Sequence, residues 1–185
     1  MEIGAGDGRF ALSRALAHRD RLVIAIDASR TAMAETSRRA SRGGIANALF
    51  VVSAAEALPG ELRGLADELV IHFPWGSLLR AASGAAPEQT ERLAALVAPG
   101  GRVWMLIASS PRDAADGAAD LDPKRVAAAW TEHGLQLTSL HPATLEDAIA
   151  ARSSWGKRLL RNPGPGRSAW EIRLVRPRTG TGAHR

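Results

Sequence analysis

The run Glu2-Ile3-Gly4-Ala5-Gly6-Asp7-Gly8 sets three glycines at alternate positions between a short apolar stretch and a helical one. Glycine lets the backbone turn sharply and lets a ligand approach with no Cβ in the way. Asp27 closes the next β-rich run, where a carboxylate can take both hydroxyls of a ribose. Together these residues describe a nucleoside-binding crevice at the C-terminal edge of a parallel sheet. Glu56, in Ser53-Ala54-Ala55-Glu56-Ala57-Leu58-Pro59, follows a third β-rich run. Its small neighbours would let a flat base lie against the backbone, although an acid there can equally serve a helix N-terminus.

The glycine spacing is G-x-G-x-G, whereas a dinucleotide loop needs G-x-G-x-x-G with a pyrophosphate on the helix N-terminus. Asp7 inside the turn would repel a pyrophosphate and suits a cationic amino-acid ligand. S-adenosylmethionine is such a ligand, with an ammonium and a sulfonium and no phosphate. An NAD-dependent oxidoreductase is disfavoured on the same grounds. No cysteine is present, which removes disulfides, thiolate metal sites and cysteine nucleophiles, and no metal is expected.

Two aromatic elements stand out in a chain with only three Phe and five Trp. His72-Phe73-Pro74-Trp75-Gly76 follows a fourth β-rich run, where an aromatic–proline–aromatic loop would face the reactive end of the crevice. Ser153-Ser154-Trp155-Gly156-Lys157-Arg158-Leu159 sets a tryptophan between small residues beside a basic cluster, as stacking platforms for bases do. Alone it reads as a basic helix with one buried indole; with Trp75 it forms a candidate half of an aromatic clamp. Trp104, Trp130 and Trp170 lie in regular elements and are assigned to packing.

The elements that position these groups alternate strand and helix, the mark of a doubly wound α/β sheet. Expected strands are Met1–Ile3, Leu22–Asp27, Leu49–Ser53, Glu68–His72, Arg102–Ala108, Gln136–Leu140 and Trp170–Val175. Expected helices are Arg9–His18, Thr31–Ser41, Glu88–Val97 and Pro123–Glu132. Asp122-Pro123 reads as an N-cap with proline at the first helical position, and Pro99-Gly100-Gly101 as a tight turn. Ser109–Ala119 and Arg161–Arg167 read as long loops. The expected architecture is a seven-stranded Rossmann-like sheet, mostly parallel with an antiparallel last strand. One domain spans residues 1–175, with a disordered basic tail over 176–185.

Length and a hydrophobic content of 45% suit a single core. With no apolar run fit to cross a bilayer and no signal pattern, a cytoplasmic monomer is expected. Net charge is +5, unevenly spread: residues 152–185 carry nine Lys/Arg against Glu171 alone. A positive end on a mildly acidic body fits a polyanion met from one side, or a merely solvated tail.

In this order, the motifs Gly4-Ala5-Gly6-Asp7-Gly8, Ile26-Asp27, Gly43-Gly44-Ile45-Ala46-Asn47, Ala54-Ala55-Glu56-Ala57-Leu58-Pro59, Phe73-Pro74-Trp75-Gly76-Ser77-Leu78-Leu79 and Ser154-Trp155-Gly156-Lys157-Arg158-Leu159 resemble the 16S rRNA (adenine(1408)-N1)-methyltransferases of aminoglycoside resistance. The likeness runs from Met1 to about Val175. It implies S-adenosylmethionine held by Glu2, Gly4, Ala5, Gly6, Asp27, Ala55, Glu56, Leu58, Phe73 and Ser77. It implies a target adenine of the 30S subunit between Trp75 and Trp155, with Phe73, Pro74 and Ser153 beside it. RNA contacts are expected from Arg38, Arg39, Arg42, Lys157, Arg158 and Arg161. Three departures are visible: Glu2 stands where the family usually has aspartate, the linker before Gly43 is shorter and richer in arginine, and the family's N-terminal extension has no counterpart before Met1. A transferase acting on tRNA guanine N7 or on a small molecule, and a non-catalytic RNA-binding protein, remain the alternatives.

Overall fold

The computed structural model describes residues 1–109, 121–162 and 167–178. Seven strands form one sheet: β1 (Glu2–Ile3), β2 (Val23–Asp27), β3 (Ala48–Val52), β4 (Ala66–His72), β5 (Val97–Ser109), β6 (Gln136–Pro142) and β7 (Ser168–Val175). Their order is β3-β2-β1-β4-β5-β7-β6, with β7 antiparallel to both β5 and β6 and the other pairings parallel. The doubly wound expectation therefore holds, including the last strand's direction. The chain order reverses on either side of β1, and this switch point is where such sheets bind ligands.

Alternation along the central strands buries both faces. Leu69 and Ile71 of β4 and Val103, Met105 and Ile107 of β5 point to one side, each at most 1% exposed. Helices α3 (Gly76–Ser83), α4 (Pro87–Ala94) and α5 (Pro123–Thr131) cover them. Trp130 fills the middle of that layer and donates its indole N–H to the carbonyl of Ala82 at 2.9 Å. The opposite face packs Ala25 under α1 (Arg9–Ala17) and α2 (Arg30–Arg42), and Leu106 and Ala108 under α6 (Leu145–Ala150) and α7 (Ser154–Arg161).

β1 is only two residues long yet sits mid-sheet, paired with β2 at Ala25 and with β4 at Val70. The Met1 ammonium adds a hydrogen bond to the Glu68 carbonyl at 2.7 Å. Asp122 caps α5 as expected, accepting from the Lys124 amide at 2.9 Å. Several boundaries differ from expectation. The helix expected over Glu88–Val97 ends at Ala94, and Val97 instead pairs with Ala66. Pro99-Gly100-Gly101 turns within β5, where the register with β4 slips between Ala66 and Glu68. Helices α3 and α6 were not expected. Of the long loops, residues 110–120 and 163–166 lie outside the described residues, as do 179–185 of the tail. Arg176, in the stretch expected to be tail, hydrogen-bonds Gly101 and Ala94.

Candidate functional site

A cleft of about 750 Å³ opens at the C-terminal edge of the sheet over the switch point. The glycine loop forms one wall. Its turn is tied to β2 by the amides of Gly4 and Ala5, which both donate to the Ile26 carbonyl at 2.9 and 3.0 Å. Gly4 adopts φ +73°, which strains any residue with a Cβ, and a Cβ there would also lie 2.5 Å from the tip of the Leu78 side chain on α3.

Asp27 is held by its own backbone surroundings. The Gly6 amide donates to its Oδ2 and the Ser29 amide to its Oδ1, both at 2.7 Å. A carboxylate fixed this way keeps further lone pairs for two vicinal hydroxyls. Glu56 sits in the single 3₁₀ turn Ala55–Ala57. A hydrogen bond from the Ser77 hydroxyl holds its carboxyl below the usual carboxylate range, which joins this turn to α3 across the cleft.

Glu2 is 5% exposed, and its Oε2 has no hydrogen-bond partner. Burial pushes this carboxyl up to about 8, against the nearby Met1 ammonium that pulls it down. A buried carboxylate oxygen lacking a partner is costly unless a ligand cation completes it. Asp7 also lines the cleft, but its carboxylate accepts from the Arg9 amide at 3.1 Å and pairs with the Arg9 guanidinium at 3.3 Å. The acid with an open valence is therefore Glu2. Along this wall Glu2 can take a cation, Asp27 a pair of vicinal hydroxyls, and the small residues Ala54 and Ala55 a flat ring.

The other wall carries the aromatic groups. Phe73 turns out of β4 at φ +49°, a conformation costly for a residue with a Cβ. Its amide donates to the Leu106 carbonyl at 2.6 Å. Pro74 follows, and Trp75 stands just before α3 with 83% of its surface exposed. Across from it Ser153 caps α7, its hydroxyl accepting from the Gly156 amide at 2.9 Å. Trp155 is 47% exposed and meets Phe73 edge-on, with ring centres 5.4 Å apart. Arg152, Arg158 and Arg167 line the same mouth. The floor holds His72, edge-on to Phe10 at 4.8 Å and to Trp104 at 4.3 Å. Burial lowers its imidazole to about 3, and neither ring nitrogen has a partner.

The structure thus brings Glu2, Gly4, Ala5, Gly6, Asp27, Ala55, Glu56, Phe73, Pro74, Trp75, Ser77, Ser153, Trp155 and Arg158 to one cleft. Leu58 instead packs against the main core. Lys157 and Arg161 lie on α7 away from the lining. Arg38, Arg39 and Arg42 occupy the last turns of α2, which lead to the start of β3 at the opposite edge of the sheet. Arg38 and Arg42 pair there with Glu35 at 3.1 and 3.5 Å. Sequence reasoning passed over Phe10, took His72 only as the start of the aromatic loop, and held Arg152 and Arg167 only as part of the basic C-terminal segment expected to meet phosphates. His72 directly precedes the aromatic loop and Phe10 opens the first helix, and those adjacencies were the available signal.

Residues 1–173 match the family model described as NpmA, 16S rRNA (adenine(1408)-N(1))-methyltransferase. A 16S rRNA (adenine(1408)-N(1))-methyltransferase of Streptoalloteichus hindustanus is 32% identical over 171 residues, covering 86% of this chain and 79% of the relative. Among solved structures, a tryptophan-to-alanine mutant of the corresponding enzyme from Catenulisporales acidiphilia, with cosubstrate SAM, superposes with a TM-score of 0.77. It is 29% identical and covers 96% of this chain and 85% of that one. The aminoglycoside resistance methyltransferase NpmB1 superposes with a TM-score of 0.72 at 31% identity, covering 95% of this chain and 85% of that one.

Proposed function

The chain belongs to the 16S rRNA (adenine(1408)-N(1))-methyltransferase family, and on that premise we propose how its own residues carry the reaction. It is an S-adenosylmethionine-dependent enzyme that methylates N1 of the decoding-site adenine, the modification behind aminoglycoside resistance. The observation that carries the site assignment is the convergence of Trp75 and Trp155 on the cleft that also holds Glu2 and Asp27.

When bound, the cofactor supplies an electrophilic methyl on a sulfonium. Glu2 receives its ammonium, Asp27 its ribose hydroxyls, and Ala55, Glu56 and Ser77 border its adenine. Adenine N1 already offers an in-plane lone pair, so no residue need remove a proton to make the nucleophile. The chain's task is to hold the base out of its stack and aim N1 at the methyl. Trp75 and Trp155 take the two faces of the extruded purine, each such stack being worth about 1–3 kcal/mol. As positive charge moves onto the purine, the indole faces stabilise it. His72, neutral and enclosed, keeps the floor free of a competing cation.

RNA is engaged at two separated places. Arg152, Arg158 and Arg167 meet phosphates around the extruded base, with Lys157 and Arg161 alongside. Arg38, Arg39 and Arg42 meet a second stretch beyond the far end of α2, a helix of 13 residues or about 20 Å. A substrate that spans such a distance in fixed shape is a folded particle, which supports the 30S subunit over free RNA. The enzyme acts on it as a monomer.

The test is to incubate purified protein and labelled cofactor with 30S subunits and, in parallel, with tRNA, then map the product by primer extension, which N1-methyladenine blocks. A single stop at the decoding-site adenine is expected. Label in tRNA, or no label in either RNA, would contradict the reading.

A further inference from the structure

Phe73 and α7 meet at an unusually close point. Gly156 is buried near the start of α7, and a Cβ built on it would lie 2.3 Å from Phe73 Cε2 and 2.6 Å from Cζ. That is closer than carbon atoms approach without something moving. The atoms in the way belong to a ring that has nowhere to go. Phe73 is 8% exposed, packed with Leu106, Ala151 and Leu159, and held at φ +49° by its amide bond to Leu106. Its ring also supports Trp155 edge-on.

We infer that Gly156 is a positioning residue: by omitting a side chain it lets α7 seat on the Phe73 ring, and this seat sets the gap between the two indoles. Trp155 is the neighbour of Gly156, and Trp75 follows Phe73 by a single proline, so each indole is attached to one half of the joint. Adding a methyl group at Gly156 must push α7 outward or turn Phe73 out of its packing, and either movement changes the spacing that receives the base. Glu2 and Asp27 lie on the opposite wall, and of the residues expected to hold the cofactor only Phe73 belongs to this joint. The inference rests on the reading that the indoles hold the target base.

The substitution G156A tests it. Misplacing aligned groups by about 1 Å can cost about a hundredfold in rate, and a loss of that order is expected in single-turnover methylation at saturating 30S, with cofactor affinity unchanged by calorimetry. Trimming the ring should relieve the clash, so F73L/G156A should methylate faster than G156A, although F73L alone is slower than the parent. Parental rates for G156A, while W75A and W155A are inactive, would overturn the joint and leave the clamp standing. Parental rates for W75A and W155A would remove the clamp itself. If G156A melts early, the double variant still decides: recovery of melting temperature without recovery of methylation would reduce the contact to packing alone.

Discussion

Glu2 is buried and His72 half-buried at the cleft, and desolvation holds both neutral, in opposite titration senses. Glu2, raised to about 8, is protonated near neutral pH in the free enzyme. A ligand ammonium would ionise it, so cofactor binding at pH 7 should release up to about one proton. Calorimetry in buffers of different ionisation enthalpy measures this, and E2Q should abolish it. Release that is absent in the parent, or unchanged in E2Q, would contradict the assignment. The stability signs follow from the same shifts. Glu2 favours the fold fully below its unfolded value, and that contribution is lost as pH rises towards 8. His72 favours the fold above its ordinary 6.5, and its contribution is lost as pH falls towards 3. D27A should weaken cofactor binding without altering the aromatic wall, and unchanged affinity by calorimetry would exclude Asp27. Asp27 and the glycines were legible because their chemistry needs those residue types at strand ends. Glu2 against Asp7 was not, since which of two acids keeps an open valence depends on Arg9 taking the second.

At the scale of elements, the site depends on short pieces that periodicity reads poorly. α6 spans only six residues, too few for a sustained pattern although Thr144 and Asp147 form a capping box ahead of it, and α3 opens with Gly76 behind Trp75, whose side chain makes no cap. α7 was legible as a basic helix around Trp155, but its seat on Phe73 depends on tertiary packing. Among the described residues only Phe73 and Arg152 combine a side chain with positive φ, and both line the cleft. Strain of this kind concentrates at working sites. R152G should therefore leave the melting temperature equal or higher while weakening association with 30S subunits. A lower melting temperature with unchanged association would contradict a role for this arginine at the mouth. Ser153 caps α7 through the Gly156 amide, so S153A should cost about 1 kcal/mol of stability. Methylation should fall further than cofactor affinity, and equal loss in both would point to general unfolding. Leu58 shows the converse limit: a residue inside a motif can point to the core, and its direction through the turn is set by packing.

At the scale of the whole molecule, the α/β alternation and the order of motifs were readable because a parallel sheet leaves period and punctuation in the sequence. The distance between basic groups was not, since Arg38, Arg39 and Arg42 join the others in charge but not in place. If Arg152, Arg158 and Arg167 each meet one phosphate, replacing all three by alanine should lessen the log–log salt slope of 30S binding by about 2 to 3. Charge reversal at Arg38, Arg39 and Arg42 should weaken subunit binding and leave cofactor affinity intact; no change in subunit binding would confine the interface to the cleft mouth. Both surfaces serve one act, which is to deliver a single purine between two indoles beside the methyl donor. The most direct measurement is methylation of 30S subunits by W75A and W155A, taken together with their cofactor affinity. Loss of methylation with near-parental affinity is the predicted result, and parental methylation by both variants would contradict it.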